Sequence, residues 1–307
     1  MTFTAELEIE ALPPYDFETS CEIFGNGDKQ IRNYENGKFW QVLAVNDKLI
    51  LATVISQGNV NKPRVTVELK SESEITEKDT KEVKNLLNLI FSLDLDLTPF
   101  YSTVNKDKIM AQLTRKLRGL KTPTTPSVFE ALADSIIEQQ ISLTVANSLR
   151  NKLIKKFGHT LHLEEGLYYA YPSPQQLASV NIAGFRECGL SMRKGEYIKG
   201  VSALIAEKKL NLEKLKIYEN SEHIATELDK IRGVGVWTAE FTMLRGMQRL
   251  EVIPADDLGL RRVVSRYYCQ GRATSSSEVR HIAKNWSKWK GLAAYYLVVA
   301  DMKNIEI

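Results

Sequence analysis

The sequence is poor in the side chains that most often hold metals or redox groups. Its three cysteines, Cys21, Cys188 and Cys269, are too few and too scattered for a disulfide framework. Nor can three thiols supply the four thiolates of an iron–sulfur cluster. The four histidines, His159, His162, His223 and His281, form no HExxH-type pair, which argues against a catalytic zinc. No apolar run approaches the ~18–20 residues needed to span a bilayer. The first twelve residues carry three glutamates and no basic stretch, so they do not read as a secretory signal. Tandem repeats and low-complexity segments are absent as well. The expectation is a cytoplasmic protein with no membrane partner and no cofactor for its chemistry.

What is present is a chain of 307 residues, 43% apolar and 8% aromatic, enough to bury a real core. At about 100–200 residues per domain, that length predicts two domains or one domain with lobes. The net charge of +3 hides an asymmetry: residues 1–100 hold 10 basic and 17 acidic side chains, whereas 101–307 hold 31 and 21. Any polyanion is therefore expected on the second part.

Hydrophobic periodicity divides the chain at the same place. FWQVLAV, LILATVI and RVTVELK, between Phe39 and Lys70, read as strands, with Asn46-Asp47 and Gly58-Asn59 as turns. Residues 76–92 have helical spacing through Val83, Leu86, Leu87 and Ile90. Beyond residue 100 the period is 3.6. Ser127 with Glu130, and Ser275 with Glu278, are capping-box signatures, and Ser142 caps a further helix that ends at Gly158. The fold class is α+β: an N-terminal antiparallel sheet domain over 1–97, then an all-α part over 98–307.

The most informative stretch is LDKIRGVGVWTAEFTMLRG, residues 228–246. A helix leads into Gly233-Val234-Gly235 and a second helix follows at once. Two glycines around one apolar residue allow a tight hairpin whose backbone N–H groups point outward and can bind a phosphate without a side chain. Downstream lies VIPADDLGLRR (252–262), with two adjacent aspartates.

With PPYDF (13–17), FEALADSIIEQQIS (129–142), GFRECGLSMRKGEYI (184–198) and WSKWKGLAAYYL (286–297), these segments resemble the helix-hairpin-helix (HhH-GPD) DNA glycosylases, in order and spacing over nearly the whole chain. The pattern is most similar to the alkyl-base glycosylases of the bacterial inducible 3-methyladenine type. The resemblance implies a two-lobed helical domain with the hairpin at 228–239, the active site between the lobes and double-stranded DNA with damaged bases as partner. It also implies a monomer.

The resemblance carries roles onto particular residues. Asp257, immediately before the DLGLRR-type helix, matches the catalytic aspartate, with Asp256 in reserve; an Asp there is also a good N-cap. A carboxylate near C1′ stabilises the oxocarbenium-like state that forms as the base departs, and an alkylated purine already leaves readily. Bifunctional members place a Schiff-base lysine where this chain has Trp237, which implies hydrolysis without strand cleavage. Trp237, Phe241 and Leu258 match base-pocket positions, although a Trp/Phe pair four apart also suits plain packing. Another pocket aromatic falls on Val298. Gln140 matches the residue that fills the gap left by the flipped base. Gly233, Gly235, Val236 and Arg261 match contacts to the DNA backbone, and the carbonyls of Asp229, Ile231 and Val234 a structural Na+ or K+.

Two other readings stay open: an 8-oxoguanine-type glycosylase, and a catalytically silent clamp that uses the hairpin only to hold phosphates. Trp286 and Trp289, interleaved with Lys288 and Lys290, suit either a nucleic-acid surface or a helix anchored to the core.

Overall fold

A computed structural model describes residues 2–25 and 27–307. The N-terminal part is a five-stranded antiparallel sheet: β1 (Phe3–Glu10), β2 (Arg32–Glu35), β3 (Lys38–Val45), β4 (Lys48–Ser56) and β5 (Arg64–Ser71). Their spatial order is β1-β5-β4-β3-β2. Alternation drives it: in β5, Val65, Val67, Leu69 and Ser71 are buried while Arg64, Thr66, Glu68 and Lys70 are not. Asn46 and Asp47 both have left-handed φ, 46° and 64°, and Val45 pairs with Lys48. That is the two-residue turn that suits the right-handed strand twist. Helix Glu77–Ile90 lays Val83, Leu87 and Ile90 into a core with Phe39, Val54 and Val67. Sequence reasoning did not single out β1 or β2; β1 does alternate Ala5, Leu7 and Ile9 with Glu6, Glu8 and Glu10, whereas β2 has only four residues.

The helical part builds two cores. The first gathers helices Val128–Glu138, Met192–Ala206, Ser221–Asp229 and Val236–Met247 around Leu132, Ile136, Ile198, Leu228 and Met243. The second joins Thr98–Val104 and Lys108–Lys116 to Leu258–Tyr268 and Lys290–Met302 around Phe100, Leu113, Val264 and Leu297. Trp286 and Trp289 lie inside this second core, and the Trp286 indole donates to Asp107 Oδ2 at 3.2 Å. They anchor the last helix and do not form a surface for nucleic acid.

Two local expectations are corrected. The second part is not purely α-helical: β6 (His159–Leu163) and β7 (Gly166–Ala170) form an antiparallel hairpin. Leu161, Leu163 and Ala170 cover Val42 and Leu51 of the sheet. Five residues of alternation are too few to stand out from helical neighbours. The Ser127–Glu130 box is one-sided. Ser127 Oγ accepts from Glu130 N at 3.1 Å, but the Glu130 carboxylate is buried beside Arg32 of β2 at 3.8 Å. At Ser275–Glu278 both halves of the box form.

Lys121 fastens the sheet domain to the helices. Its side chain is fully buried, and Nζ donates to the carbonyls of Leu12 and Leu93, each at 2.9 Å. Burial lowers its pKa to about 8. The unfolded chain, with an ordinary lysine near ~10.4, then binds more protons across that window, so this group makes stability rise with pH between about 8 and 10. Chemical denaturation of the wild type and Lys121→Met from pH 7.5 to 10.5 tests this: the wild type gains on the variant as pH rises.

Candidate active site

The hairpin closes through two successive turns, Ile231 N to Leu228 O and Val234 N to Ile231 O, both at 3.0 Å. Gly233 sits inside the second turn at φ +90°, and a Cβ there would lie 2.3 Å from the ring of Tyr197. Backbone and packing both require glycine at this point. Gly235 differs. Its φ of −107° suits any residue, and a Cβ would meet nothing within 4 Å. It is the N-cap of helix Val236–Met247 and offers no side chain to the orphan N–H groups of the first turn. With Val236 61% exposed, that end of the helix is open to solvent.

Asp257 is the N-cap of helix Leu258–Tyr268, so the capping and catalytic readings of this residue are compatible. Its Oδ1 accepts from Leu260 N at 2.8 Å and its Oδ2 from the Trp237 indole N–H at 3.1 Å. The second bond spans the two helical cores and fixes the carboxylate beside the hairpin's second helix. Asp256 is exposed and paired instead with Arg280, at 3.2 Å. The same guanidinium reaches the buried Glu240 at 2.8 Å and the Ile253 carbonyl at 3.2 Å, which ties the aspartate loop to the hairpin. Burial raises the Glu240 pKa, against the opposing pull of Arg280.

Trp237 and Phe241 are half-buried, neither lost in the core nor fully solvated. Their ring centroids are 4.7 Å apart at 61°, and the Arg245 guanidinium lies 4.4 Å from the Phe241 centroid. Trp237, Phe241 and Arg245 thus form one ladder along the helix, each a turn apart. Glu138 receives Arg245 at 2.5 Å on one oxygen and Arg150 at 2.6 Å on the other. Burial would raise this carboxyl, but the two arginines outweigh it and hold it below the usual range. Leu258, beside Asp257, is 75% exposed, and Val298 is half-buried against the second core.

Gln140 is an exposed residue at φ +58° in the turn after helix Val128–Glu138. Its neighbour Gln139 donates through Nε2 to Gly233 O and to Thr238 Oγ1, both at 2.9 Å, so this turn abuts the hairpin. Of the two arginines after the aspartate, Arg261 is engaged with the Thr274 carbonyl at 2.7 Å and Arg262 with Asp301 at 2.6 Å. Among the described residues the carbonyls of Asp229 and Val234 accept no backbone hydrogen bond from the hairpin, and Ile231 O accepts one. This leaves oxygen lone pairs of the kind a monovalent cation takes. Among the described residues no cluster of three or more His, Cys, Asp or Glu is placed to hold a metal, and no helix is long and apolar enough to cross a membrane.

Sequence reasoning did not single out the roles of Gln139, Lys194, Glu138, Arg245 and Arg280. Their partners are distant in the chain: 94 residues separate Gln139 from Gly233 and 107 separate Glu138 from Arg245. No local pattern encodes such pairs.

A helix, a GVG turn, a second helix and a loop ending in a capping aspartate, set between two helical cores, define a helix-hairpin-helix protein built to act on DNA. The chain belongs to the HhH-GPD superfamily of base excision DNA repair proteins, which it matches over residues 133–288. It is 28% identical to a DNA-3-methyladenine glycosylase of Bacillus subtilis over 264 residues, 86% of either chain. The solved structure of a 3-methyladenine DNA-glycosylase from Archaeoglobus fulgidus superposes with a TM-score of 0.85 at 27% identity, covering 96% of this chain and 98% of that one. An 8-oxoguanine glycosylase/lyase from Clostridium acetobutylicum, solved with double-stranded DNA, gives 0.76 at 22% identity over 99% and 100%, a likeness of fold alone.

The two glycines predict separable phenotypes. Gly233→Ala forces its methyl into Tyr197 and lowers the thermal midpoint. Gly235→Ala leaves the midpoint unchanged but weakens duplex DNA binding by about tenfold, because its methyl occupies the approach to the helix N-terminus. Thermal melts and fluorescence anisotropy on both variants check this.

Proposed function

We propose that the chain is a monofunctional DNA glycosylase that hydrolyses the N-glycosidic bond of alkylated purines flipped out of duplex DNA, the first step of base excision repair. The observation that carries the reading is the hydrogen bond between Trp237 and Asp257: one side chain supplies an aromatic face and also steadies the single carboxylate. The likeness to two 3-methyladenine glycosylases at 27–28% identity over most of the chain supports the substrate class.

In this mechanism the hairpin's N–H groups hold a phosphate, Gln140 fills the vacated stack and the extruded base lies against Trp237 and Phe241. A purine alkylated on a ring nitrogen carries positive charge, which favours the face of an electron-rich indole. As the C1′–N bond breaks, the base leaves with the bonding pair and becomes neutral. Asp257 stabilises the positive charge left on the sugar and takes a proton from the water that adds to C1′. No second carboxylate is required, because the leaving group is already activated.

A lyase step needs an amine at C1′. Trp237 stands where that lysine would be. Lys194 Nζ is engaged by the carbonyls of Ile137 and Gln139, and Lys230 Nζ by Glu227 at 2.6 Å. This disfavours the 8-oxoguanine glycosylase/lyase reading. A silent phosphate clamp could cap this helix with a neutral Ser or Thr and has no need of a second, charged oxygen held toward a polyanion, so Asp257 disfavours that reading too. The carbonyls of Asp229, Ile231 and Val234 would hold a Na+ or K+, which would supply positive charge near the hairpin and take no part in the reaction. Leu258, exposed beside Asp257, belongs to the rim of the base pocket, Arg261 contacts the DNA backbone, and the protein works as a cytoplasmic monomer.

Asp257→Asn should reduce base release from methylated duplex DNA by about 10²–10⁴-fold while lesion-DNA binding stays equal or tightens. Asp256→Asn should stay within about threefold of wild type, because its partner is a surface arginine. Single-turnover excision and anisotropy on both variants decide the matter. Normal excision by Asp257→Asn with a dead Asp256→Asn would move the catalytic assignment by one residue.

A further inference from the structure

The turn that presents Gln140 is held from two sides by groups the mechanism above does not use. Helix Val128–Glu138 ends at Gln139, where the last carbonyls lack helical partners. Lys194 Nζ fills that role, donating to Ile137 O at 2.8 Å and to Gln139 O at 2.7 Å. The ammonium is half-buried at the negative end of the helix, where a cation is favoured. From the other side, the Gln139 amide donates to Gly233 O and to the buried Thr238 Oγ1. A plain helix cap has no need of this second pair of bonds, which reaches across to the hairpin. The helix that carries Lys194 also carries Tyr197, one turn on, whose ring lies under Gly233. Turn, hairpin and helix Met192–Ala206 therefore close a triangle. Inside it, Gln140 is kept at a positive φ that a non-glycine residue adopts only when its surroundings impose it.

We propose that Lys194 and Gln139 are positioning residues for base flipping: they fasten the turn carrying Gln140 to the hairpin, so that gripping a phosphate also delivers Gln140 to the base stack. The proposal rests on the glycosylase reading and on Gln140 as the inserted residue. Opening a base pair is uphill, and a wedge already fixed in its inserted geometry loses little conformational freedom as it enters. Loosening the turn returns that loss to the flipping step. The penalty then appears where a pair must be opened and vanishes where the base is already unpaired. A lysine that merely supported the fold would show no such distinction.

The test uses one duplex with 7-methylguanine opposite cytosine and a second with the same base opposite an abasic analogue, under single-turnover conditions. Lys194→Met should slow excision from the paired duplex by about tenfold or more and from the unpaired one by less than about threefold. Lys194→Arg, which keeps the charge and the donors, should recover most of the rate. Gln140→Ala should show the same asymmetry, and the Lys194→Met/Gln140→Ala double variant should be no slower than the worse single one, since both act on one step. Gln139→Leu provides the same comparison if Lys194→Met does not fold. Equal slowing on both duplexes, or none on either, overturns the proposal. So does asymmetry in Lys194→Met without asymmetry in Gln140→Ala. A 2-aminopurine beside the lesion reports opening without chemistry. A wild-type signal with no base released would sink the hydrolysis in that reading, while showing the base opening on which the positioning claim acts. A Lys194→Met signal equal to wild type would sink the positioning claim alone.

Discussion

One carboxylate, that of Asp257, is held where the two helical cores meet, and the arrangement of this molecule follows from keeping it there. Asp257 is fixed by two N–H donors from different places, the Leu260 amide of its own helix and the indole of Trp237 on the hairpin's second helix. The first is local capping, which any Asp, Ser or Thr at that position would provide. The second exists only if the two helical cores meet at the right distance. Arg280 reinforces that meeting by joining Glu240 of the hairpin helix to the loop that ends in Asp257. On the proposed reading the chemistry asked of the carboxylate is modest, and the geometry is what the fold must supply.

The rest of the architecture keeps that junction rigid. Each core is filled by its own helices, and the hairpin belongs to one while the aspartate's helix belongs to the other. The sheet domain braces the pair from outside through buried Lys121, through Arg32 against Glu130, and through β6 and β7 laid over Val42 and Leu51. A buried relay of Arg150, Glu138 and Arg245 runs from the interior to the ring of Phe241. Asp134 joins it on Arg150 at 2.8 Å, so two guanidiniums meet two carboxylates, as charges drawn out of water must be balanced. The ring of Phe241 is thereby held from behind by ionic contacts and from the side by Trp237, the partner of Asp257.

Legibility in the sequence tracks the range of the interaction. β3, β4 and β5 showed themselves through alternation, the Asn46-Asp47 turn through its residue types, and the caps at Ser142 and Ser275 through spacing, because each is decided within a few residues. The hairpin was legible because Gly233 and Gly235 sit between helices, although only the structure separates their reasons: Tyr197 packing for one, open space for the other. What stayed hidden was long-range or atypically short. β6 and β7 are five residues each, and Glu130 abandons its capping box for an arginine nearly 100 positions away. The bonds from Trp237 to Asp257, from Gln139 to Gly233 and from Lys194 to the turn depend on the assembled lobes. Their residues could be named from the sequence, but their partners could not.

The account comes down to one carboxylate that hydrolyses a glycosidic bond with no amine at C1′. The most direct measurement is chromatography of the bases released when the purified protein meets methylated duplex DNA, with strand integrity read before and after alkali. The account predicts free 3-methyladenine or 7-methylguanine, with breaks appearing only after alkali. Strand cleavage without alkali, or tight salt-sensitive DNA binding with no base released, would contradict it.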